Sequence, residues 1–252
     1  MAAEFRSPRF AGDPVLEAIF RDPDTGTKKL GPGNLEKDSI KKVQQALFDL
    51  LWTQRIDTPV SDPSQFVIGI FGPLTAKTVL AYKQHYDIHF PPSALTGIID
   101  HFVGPRTLDL LDEQCVLFDE CDAALAAKAA EVAAATGFRH DGPTLPILNS
   151  FGAMRLRTDD GSPAILSGLW FRRGRGTASR VFGLIYEEYE RRGMASGPLG
   201  FPIFDQLMDE RPGRFFQNFE HGQIRVEDGD ILVFDDAPNI EETAVDEADR
   251  SF

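Results

Sequence analysis

Apolar residues in the first half of the chain recur at helical spacing. Between positions 34 and 120, three segments place an apolar side chain every three or four residues, which is the period of an amphipathic helix. In the first segment these residues are Ile40, Val43, Leu47, Leu50 and Leu51. Asp38 or Ser39 precedes them and suits a helix N-cap. The other two segments follow Gly-Pro pairs at 72–73 and 104–105, and proline favours the first turn of a helix. The sequence predicts a three-helix domain over 34–120.

The N-terminal arm (residues 1–33) is rich in proline, glycine and charge. It contains one short apolar segment that ends at Phe20, with Asp13 as a predicted N-cap and Pro14 at the first helical position. Turn-forming residues surround this segment. We therefore expect an arm with one short helix that docks onto the helical domain.

The pattern changes in the second half of the chain. Residues 121–139 are alanine-rich, and Gly137 suits the end of a connecting helix. In residues 140–234, the segments 151–156 and 164–171 have strand-like composition and predict a hairpin with its turn at 158–162. A helix is predicted over 179–191 and a strand over 231–234. The predicted class is therefore α+β, with a mixed helix and β-hairpin module at 140–234.

Charge limits the classes of partner. The chain has 39 acidic and 26 basic residues, for a net charge of −13. Seven acids and one arginine lie in residues 235–252, so the rest of the chain has 39 − 7 = 32 acids against 26 − 1 = 25 bases, or −7. Such a field repels nucleic acid and anionic lipid headgroups, so neither nucleic acid nor a membrane is an expected partner. The stretch 235–252 is predicted to be an acidic disordered tail.

The first residues lack the apolar core of a secretory signal peptide, and no apolar run approaches the roughly 20 residues of a membrane span. We expect a protein that is made in the cytoplasm without a signal peptide. Cys115 and Cys121 lie six positions apart in a predicted helix. Six residues rotate a helix by roughly 240°, so the two thiols face apart, and we expect them to be unbridged.

No catalytic motif is evident. The chain has no nucleophile elbow, phosphate-binding loop or dinucleotide fingerprint. His85 and His89 have the i, i+4 spacing of two zinc ligands, but the helix is expected to end near Asp87. We therefore predict no catalytic residue, no cofactor and no metal site.

Three motifs in the helical region together resemble the peptidoglycan-binding domains, which are small three-helix modules of bacterial and phage cell-wall enzymes. They are Val43-Gln-Gln-Ala-Leu47, Gly69-Ile-Phe-Gly-Pro-Leu-Thr75 and Asp100-His-Phe-Val-Gly-Pro-Arg-Thr107. The resemblance covers about 75 residues and implies a ligand cleft bordered by the turns that precede the helices. By matched position, the implied ligand-binding residues are Phe71, Thr75, Tyr82, Arg106 and Thr107. The alternative is that Phe71 and Tyr82 are core residues and that the two threonines cap helices.

The C-terminal region resembles the LGFP repeat of cell-wall-associated proteins, notably of actinobacteria. The resemblance rests on Leu199-Gly-Phe-Pro202 and on Gly213-Arg-Phe-Phe-Gln-Asn-Phe-Glu-His-Gly-Gln-Ile224, within residues 177–234. The repeat is thought to anchor proteins to the cell envelope. The residues that it suggests for binding here are Phe201, Arg214, Phe219 and His221.

Three functions remain open at this point. The first is a non-catalytic protein that binds peptidoglycan or another cell-wall glycan, acting at the envelope after non-classical export. The second is a cargo or structural component of a contractile injection system, with a secretion-machine protein as partner; the segment Ser7-Pro-Arg-Phe-Ala-Gly-Asp-Pro14 resembles leaders on wall-module proteins linked with such systems. The third is a cell-wall hydrolase with an unrecognised site in residues 140–234.

Overall fold

The computed structural model describes residues 4–22, 27–55, 68–90, 97–147, 150–157, 166–174, 176–208, 211 and 213–235. These residues form five α-helices and two antiparallel four-stranded sheets, which confirms the α+β class. The chain divides into two compact units, Met1–Asp119 (unit 1) and Glu120–Phe252 (unit 2). The predicted acidic tail after residue 235 lies outside the described residues.

Unit 1 is helical in its described part. It contains α1 (Pro14–Phe20), α2 (Lys37–Asp49), a short 3-10 helix (Trp52–Arg55), α3 (Pro73–His85) and the first half of α4 (Pro105–Thr136). The boundary between the units falls inside α4. The third predicted helix and most of the predicted connector 121–139 are thus one continuous helix, followed by Gly137 in a left-handed conformation, φ 76°.

Three of the four helix starts in unit 1 follow the local sequence. The carboxylate of Asp13 accepts the amides of Val15 and Leu16 at 3.1 and 3.0 Å, as expected of an N-cap. Helices α3 and α4 both begin at the proline of a Gly-Pro pair. The prediction for α2 was wrong, because the helix begins at Lys37 without a side-chain cap. The hydroxyl of Ser39 donates instead to the Asp13 carboxylate, at 2.9 Å.

The core of unit 1 combines the amphipathic helices with the N-terminal arm. Ile40, Val43 and Leu47 of α2 are fully buried, as their spacing predicts. Phe10 and Leu16 of the arm are buried in the same cluster. Polar contacts also fix the arm: the guanidinium of Arg9 contacts Asp49 and Asp119, each at 2.5 Å, and Asp112 accepts the amide of Ser7 at 2.8 Å. The arm is therefore an integral part of unit 1.

Unit 2 contains both sheets. The first comprises β1 (Leu145–Ile147), β2 (Gly152–Leu156), β3 (Ser167–Arg172) and β4 (Ser179–Phe182); the second comprises β5 (Leu207–Met208), β6 (Phe215–Phe219), β7 (Gly222–Glu227) and β8 (Asp230–Asp235). In both sheets the strands are neighbours in sequence order. Helix α5 (Gly183–Arg191) and a 3-10 turn (Met194–Ser196) lie between the sheets in sequence.

The predicted hairpin is present as β2 and β3, with Gly152 opposite Arg172. Its predicted turn at 158–162 lies outside the described residues. The predicted helix over 179–191 was wrong at its start, because Ser179–Phe182 is strand β4 and pairs antiparallel with β3. Gly183 then adopts a left-handed conformation, φ 61°, which turns the chain from β4 into α5.

The Leu-Gly-Phe-Pro turn contacts both sheets of unit 2. Its left-handed residue is Gly200, φ 70°. The ring of Phe201 packs so closely on Gly152 of β2 that an added Cβ would lie 2.5 Å from it. Leu199 packs in the same way on Gly222 of β7, where the corresponding distance is 2.8 Å. The turn and the two sheets consequently share one core, which also includes Trp170, Tyr189, Phe219 and Ile224.

Both cysteines lie on α4, and each is buried and unbridged, as their spacing predicts. Burial raises the pKa of each thiol to about 12. Both thiols are therefore protonated at neutral pH and have little thiolate reactivity. Among the described residues, no helix is long and apolar enough to cross a membrane.

Candidate binding site

A pocket in unit 1 lies at the N-terminus of α4, and we refer to it as the α4 pocket. The space between its lining residues, with open solvent included, has a volume of about 390 Å³. Its apolar wall is formed by Ile88, Phe90, Phe102 and Pro105, and its cationic residues are Lys28, Lys29, Lys83 and Arg106. The chain as a whole carries a charge of −13, so a cluster of four cationic residues is unusual for its composition.

A short backbone pairing brings the arm to this pocket. The amide and carbonyl of Leu30 exchange hydrogen bonds with those of Val103, at 3.0 and 2.9 Å. Lys28 and Lys29 therefore lie beside the turn that precedes α4. The ammonium of Lys29 lies 4.0 Å from the ring centroid of Phe102, a cation–π contact that leaves its positive charge at the pocket.

The start of α4 adds amide donors. The first helical hydrogen bond runs from the amide of Leu108 to the carbonyl of Gly104, at 3.0 Å. The preceding amides of Arg106 and Thr107 have no acceptor within the helix, and a helix N-terminus favours an anion. The side chain of Thr107 is buried and that of Arg106 is exposed. One guanidinium nitrogen of Arg106 donates to the carbonyl of His89 at 3.3 Å, which holds it at the rim of the pocket.

Within the described residues, Lys83 is the one pocket lysine whose charge is neutralised. Lys83 is buried and forms an ion pair with Asp100, and it also donates to the carbonyl of Phe102 at 3.3 Å. Among the described residues, no carboxylate lies within 4.0 Å of the charged groups of Lys28, Lys29 or Arg106. These three side chains therefore present positive charge that no carboxylate in the described part of the chain compensates.

His89 gives the pocket a titratable group. One ring nitrogen lies 2.7 Å from the Asp87 carboxylate and the other 3.2 Å from the carbonyl of Gly97. The hydrogen bond with Asp87 raises the pKa of His89, with a smaller contribution from Gly97. Helix α3 ends at His85, so His85 and His89 do not share a helix face. No group of three potential metal ligands occurs among the described residues.

The residues predicted for binding in unit 1 separate into two sets. Arg106 and Thr107 line the α4 pocket. Phe71, Thr75 and Tyr82 are buried: the first is a core residue, Thr75 accepts a hydrogen bond from Gln44 at 2.9 Å, and Tyr82 donates to Gln114 at 3.2 Å. These three support the helices around the pocket. Lys28 and Lys29 were not predicted as binding residues from the sequence. The sequence marks them only as two adjacent lysines in an acidic chain.

The residues predicted for binding in unit 2 do not line one pocket. Phe201 and Phe219 are core residues, and His221 is exposed. Arg214 lies at a second pocket, of about 410 Å³ with open solvent included, which none of the other three lines. Its guanidinium is 3.5 Å from Glu227 and 3.6 Å from Asp228, so its charge is compensated within the chain. Unit 1 therefore provides the better-defined site.

No known protein-family model matches this chain, and no curated protein sequence is similar to it. The class of ligand must follow from the chemistry of the α4 pocket itself. Uncompensated cations, free helix amides and an aromatic wall suit an anionic ligand that also has apolar groups.

Proposed function

We propose that this chain is a non-catalytic binding protein of the bacterial cell envelope, and that its α4 pocket binds the stem-peptide carboxylates of peptidoglycan. The observation that carries the proposal is the set of three uncompensated cations, Lys28, Lys29 and Arg106, at the start of a helix. The identity of the polymer is inferred from the resemblance of unit 1 to the peptidoglycan-binding domains. The carboxylate as the group bound is inferred from the pocket, because guanidinium and ammonium groups pair with carboxylates.

Two features support a wall-binding architecture with a peptidoglycan-binding-like unit 1 and an LGFP-type unit 2. Helices α3 and α4 both begin at the proline of the repeated Gly-Pro motif. The Leu-Gly-Phe-Pro turn meets the Phe-Glu-His-Gly segment through two backbone hydrogen bonds, from Glu220 to Phe201 at 3.0 Å and from His221 to Leu199 at 3.1 Å. The two halves of the proposed repeat motif are thus in direct contact.

The hydrolase alternative has one structural feature in its favour. A ring nitrogen of His140 lies 3.0 Å from the hydroxyl oxygen of Ser167, the arrangement of a nucleophile and its base. Both side chains are buried, with 1 % and 3 % exposed. A glycan strand cannot reach a hydroxyl in that position without opening the core. Binding without catalysis is therefore the function that we propose.

Retention of the full-length protein on purified sacculi tests this function. We expect the protein to sediment with sacculi and to release no soluble fragments. The double variant Lys29→Ala/Arg106→Ala should lose about tenfold or more in affinity, since a charge-assisted hydrogen bond contributes about 1.5–3 kcal/mol. The matched control is Lys41→Ala/Lys77→Ala, which removes the same charge from exposed helix positions outside the pocket.

The other outcomes identify the alternatives. No retention of the wild-type protein contradicts wall binding and favours a component of a contractile injection system. Release of soluble fragments favours the hydrolase. Equal loss in the pocket variant and its control would show that the net charge of unit 1, and not the α4 pocket, governs retention.

A further inference from the structure

Arg180, on strand β4 of unit 2, is the one buried arginine among the described residues, with 8 % of its surface exposed. Its Nε donates to the hydroxyl oxygen of Ser167 at 3.2 Å. Its guanidinium stacks over the rings of Phe182 and Phe138, at 4.5 and 5.5 Å from their centroids. Its Nη2 is buried and has no hydrogen-bond partner. A buried donor without an acceptor is rare in folded proteins, so this atom points to a bound water or ion.

The hydrogen bonds around Ser167 determine which atoms act as donors and which as acceptors. Arg180 can only donate, so the Ser167 oxygen accepts from it and the Ser167 proton is free to point elsewhere. The neighbouring Nε2 of His140 lies 3.0 Å from that oxygen, and the tautomer of the imidazole sets which of the two groups donates. The second ring nitrogen, Nδ1, is buried without a hydrogen-bond partner. The cluster therefore holds two buried nitrogens without partners, one of them on a permanently charged group.

Charge compensation for Arg180 is incomplete. The carboxylate of Asp205 accepts the backbone amide of Arg180 at 2.7 Å and the ammonium of Lys128 at 2.6 Å, and does not contact the guanidinium. The guanidinium of Arg157 also lies over the Phe138 ring, at 4.6 Å from its centroid. A bound water would satisfy a donor but would leave the buried charge uncompensated. An anion would satisfy both requirements.

Guanidinium geometry locates the ligand. Nε and Nη2 lie on the same edge of the planar group and donate in parallel directions. Because Nε points at Ser167, Nη2 points into the space next to the Ser167 hydroxyl. We propose that a small anion, of the size of chloride or formate, binds inside unit 2 at Nη2 of Arg180, next to Ser167 and His140. All three side chains are buried, so the occupant proposed is small.

The thermal stability of the full-length protein tests this site. The melting temperature is measured in sodium chloride, bromide or formate, against the same concentration of sodium gluconate, whose anion is too large. We expect a rise of several degrees with the small anions, because a ligand that binds only the folded state stabilises it. The rise should disappear in Arg180→Gln and persist in Arg225→Gln, which removes an exposed arginine that has no carboxylate partner among the described residues.

Three results would overturn the proposal. No rise in the wild-type protein would mean that water occupies the position. An equal rise in Arg180→Gln would mean a general salt effect. A rise that is lost in Arg106→Ala would place the anion in the α4 pocket.

If Arg180→Gln fails to fold, anomalous scattering from bromide in wild-type crystals decides the question. A peak within hydrogen-bond distance of Nη2 supports the site. Peaks confined to the protein surface exclude it.

Discussion

The hydroxyl of Tyr189 donates a hydrogen bond of 2.7 Å to the carbonyl oxygen of Gly200. Tyr189 is fully buried on α5, and Gly200 is the left-handed residue of the Leu-Gly-Phe-Pro turn. Burial raises the pKa of Tyr189 well above its usual range, so the hydroxyl remains a proton donor at every physiological pH. This bond holds the turn in the position from which Leu199 and Phe201 contact the two sheets.

Replacing Tyr189 with phenylalanine should therefore destabilise unit 2. The change leaves the buried Gly200 carbonyl without its donor, which typically costs about 1–3 kcal/mol. Urea unfolding of the wild type and the variant measures the difference in the free energy of unfolding. Tyr186→Phe is the control, because Tyr186 is also buried but its hydroxyl makes no hydrogen bond within the described chain. Equal losses in the two variants would mean that the Tyr189 bond contributes nothing specific.

The glycines beneath the turn should not tolerate a methyl group. In Gly152→Ala the new Cβ would lie 2.5 Å from both the Phe201 ring and the Phe171 carbonyl oxygen. The carbonyl belongs to the backbone, so moving it costs more free energy than moving the end of a side chain. We expect a loss of about 1–3 kcal/mol, as for other overpacked sites. Gly72→Ala, whose Cβ would meet no atom within 4 Å, should cost less than 1 kcal/mol, the usual range for alanine at an N-cap now held by glycine. Calorimetric melting of the full chain compares the stability losses of the two variants. A larger loss in Gly72→Ala than in Gly152→Ala would contradict the prediction.

Asp13 should stabilise unit 1 in a pH-dependent manner. Burial opposes its ionisation, but hydrogen bonds from the Leu16 amide, Ser39 and Lys42 outweigh this and lower its pKa below the ordinary 3.8. The stabilisation is therefore complete above about pH 4 and is lost as the pH falls through the lowered value. At pH 7 Asp13→Ala should cost about 1–2 kcal/mol, as for other N-caps.

The pH dependence separates this role from a loss of packing. The difference in unfolding free energy between wild type and Asp13→Ala should shrink between pH 5 and pH 2. Asp38→Ala, an exposed carboxylate in the first turn of α2, is the control and should change stability by less than about 0.5 kcal/mol. A difference that stays constant over this range would assign the effect to packing alone.

Binding at the α4 pocket should strengthen on acidification. The raised pKa of His89 means that its ring gains a proton as the pH falls from 8 towards 6, and this adds positive charge next to Arg106. Retention on sacculi should therefore be several-fold greater at pH 6 than at pH 8. The dependence should disappear in His89→Gln. It should remain in His221→Gln, which removes an exposed histidine of unit 2. Loss of the dependence in both variants would point to the wall polymer as the titrating partner.

The sequence alone determined the features that depend on neighbouring residues. The starts of α1, α3 and α4 follow from Asp13-Pro14 and the two Gly-Pro pairs, because capping and the fixed φ of proline act within one turn. The burial of Ile40, Val43 and Leu47 follows from helical spacing. The lack of a bridge between the cysteines follows from their separation along one helix.

Tertiary structure decided the features that depend on distant partners. Residues 179–182 have a pattern that suits a helix or a strand, and pairing with β3 makes them a strand. The Ser39 side chain could cap α2, but its hydroxyl donates instead to the carboxylate of Asp13, which belongs to another segment. The α4 pocket joins Lys29 to Arg106 only because Leu30 pairs with Val103, a contact across more than 70 residues. Local pattern carries no information on such a contact, since the free energy that selects it arises only when both segments have docked on the common core.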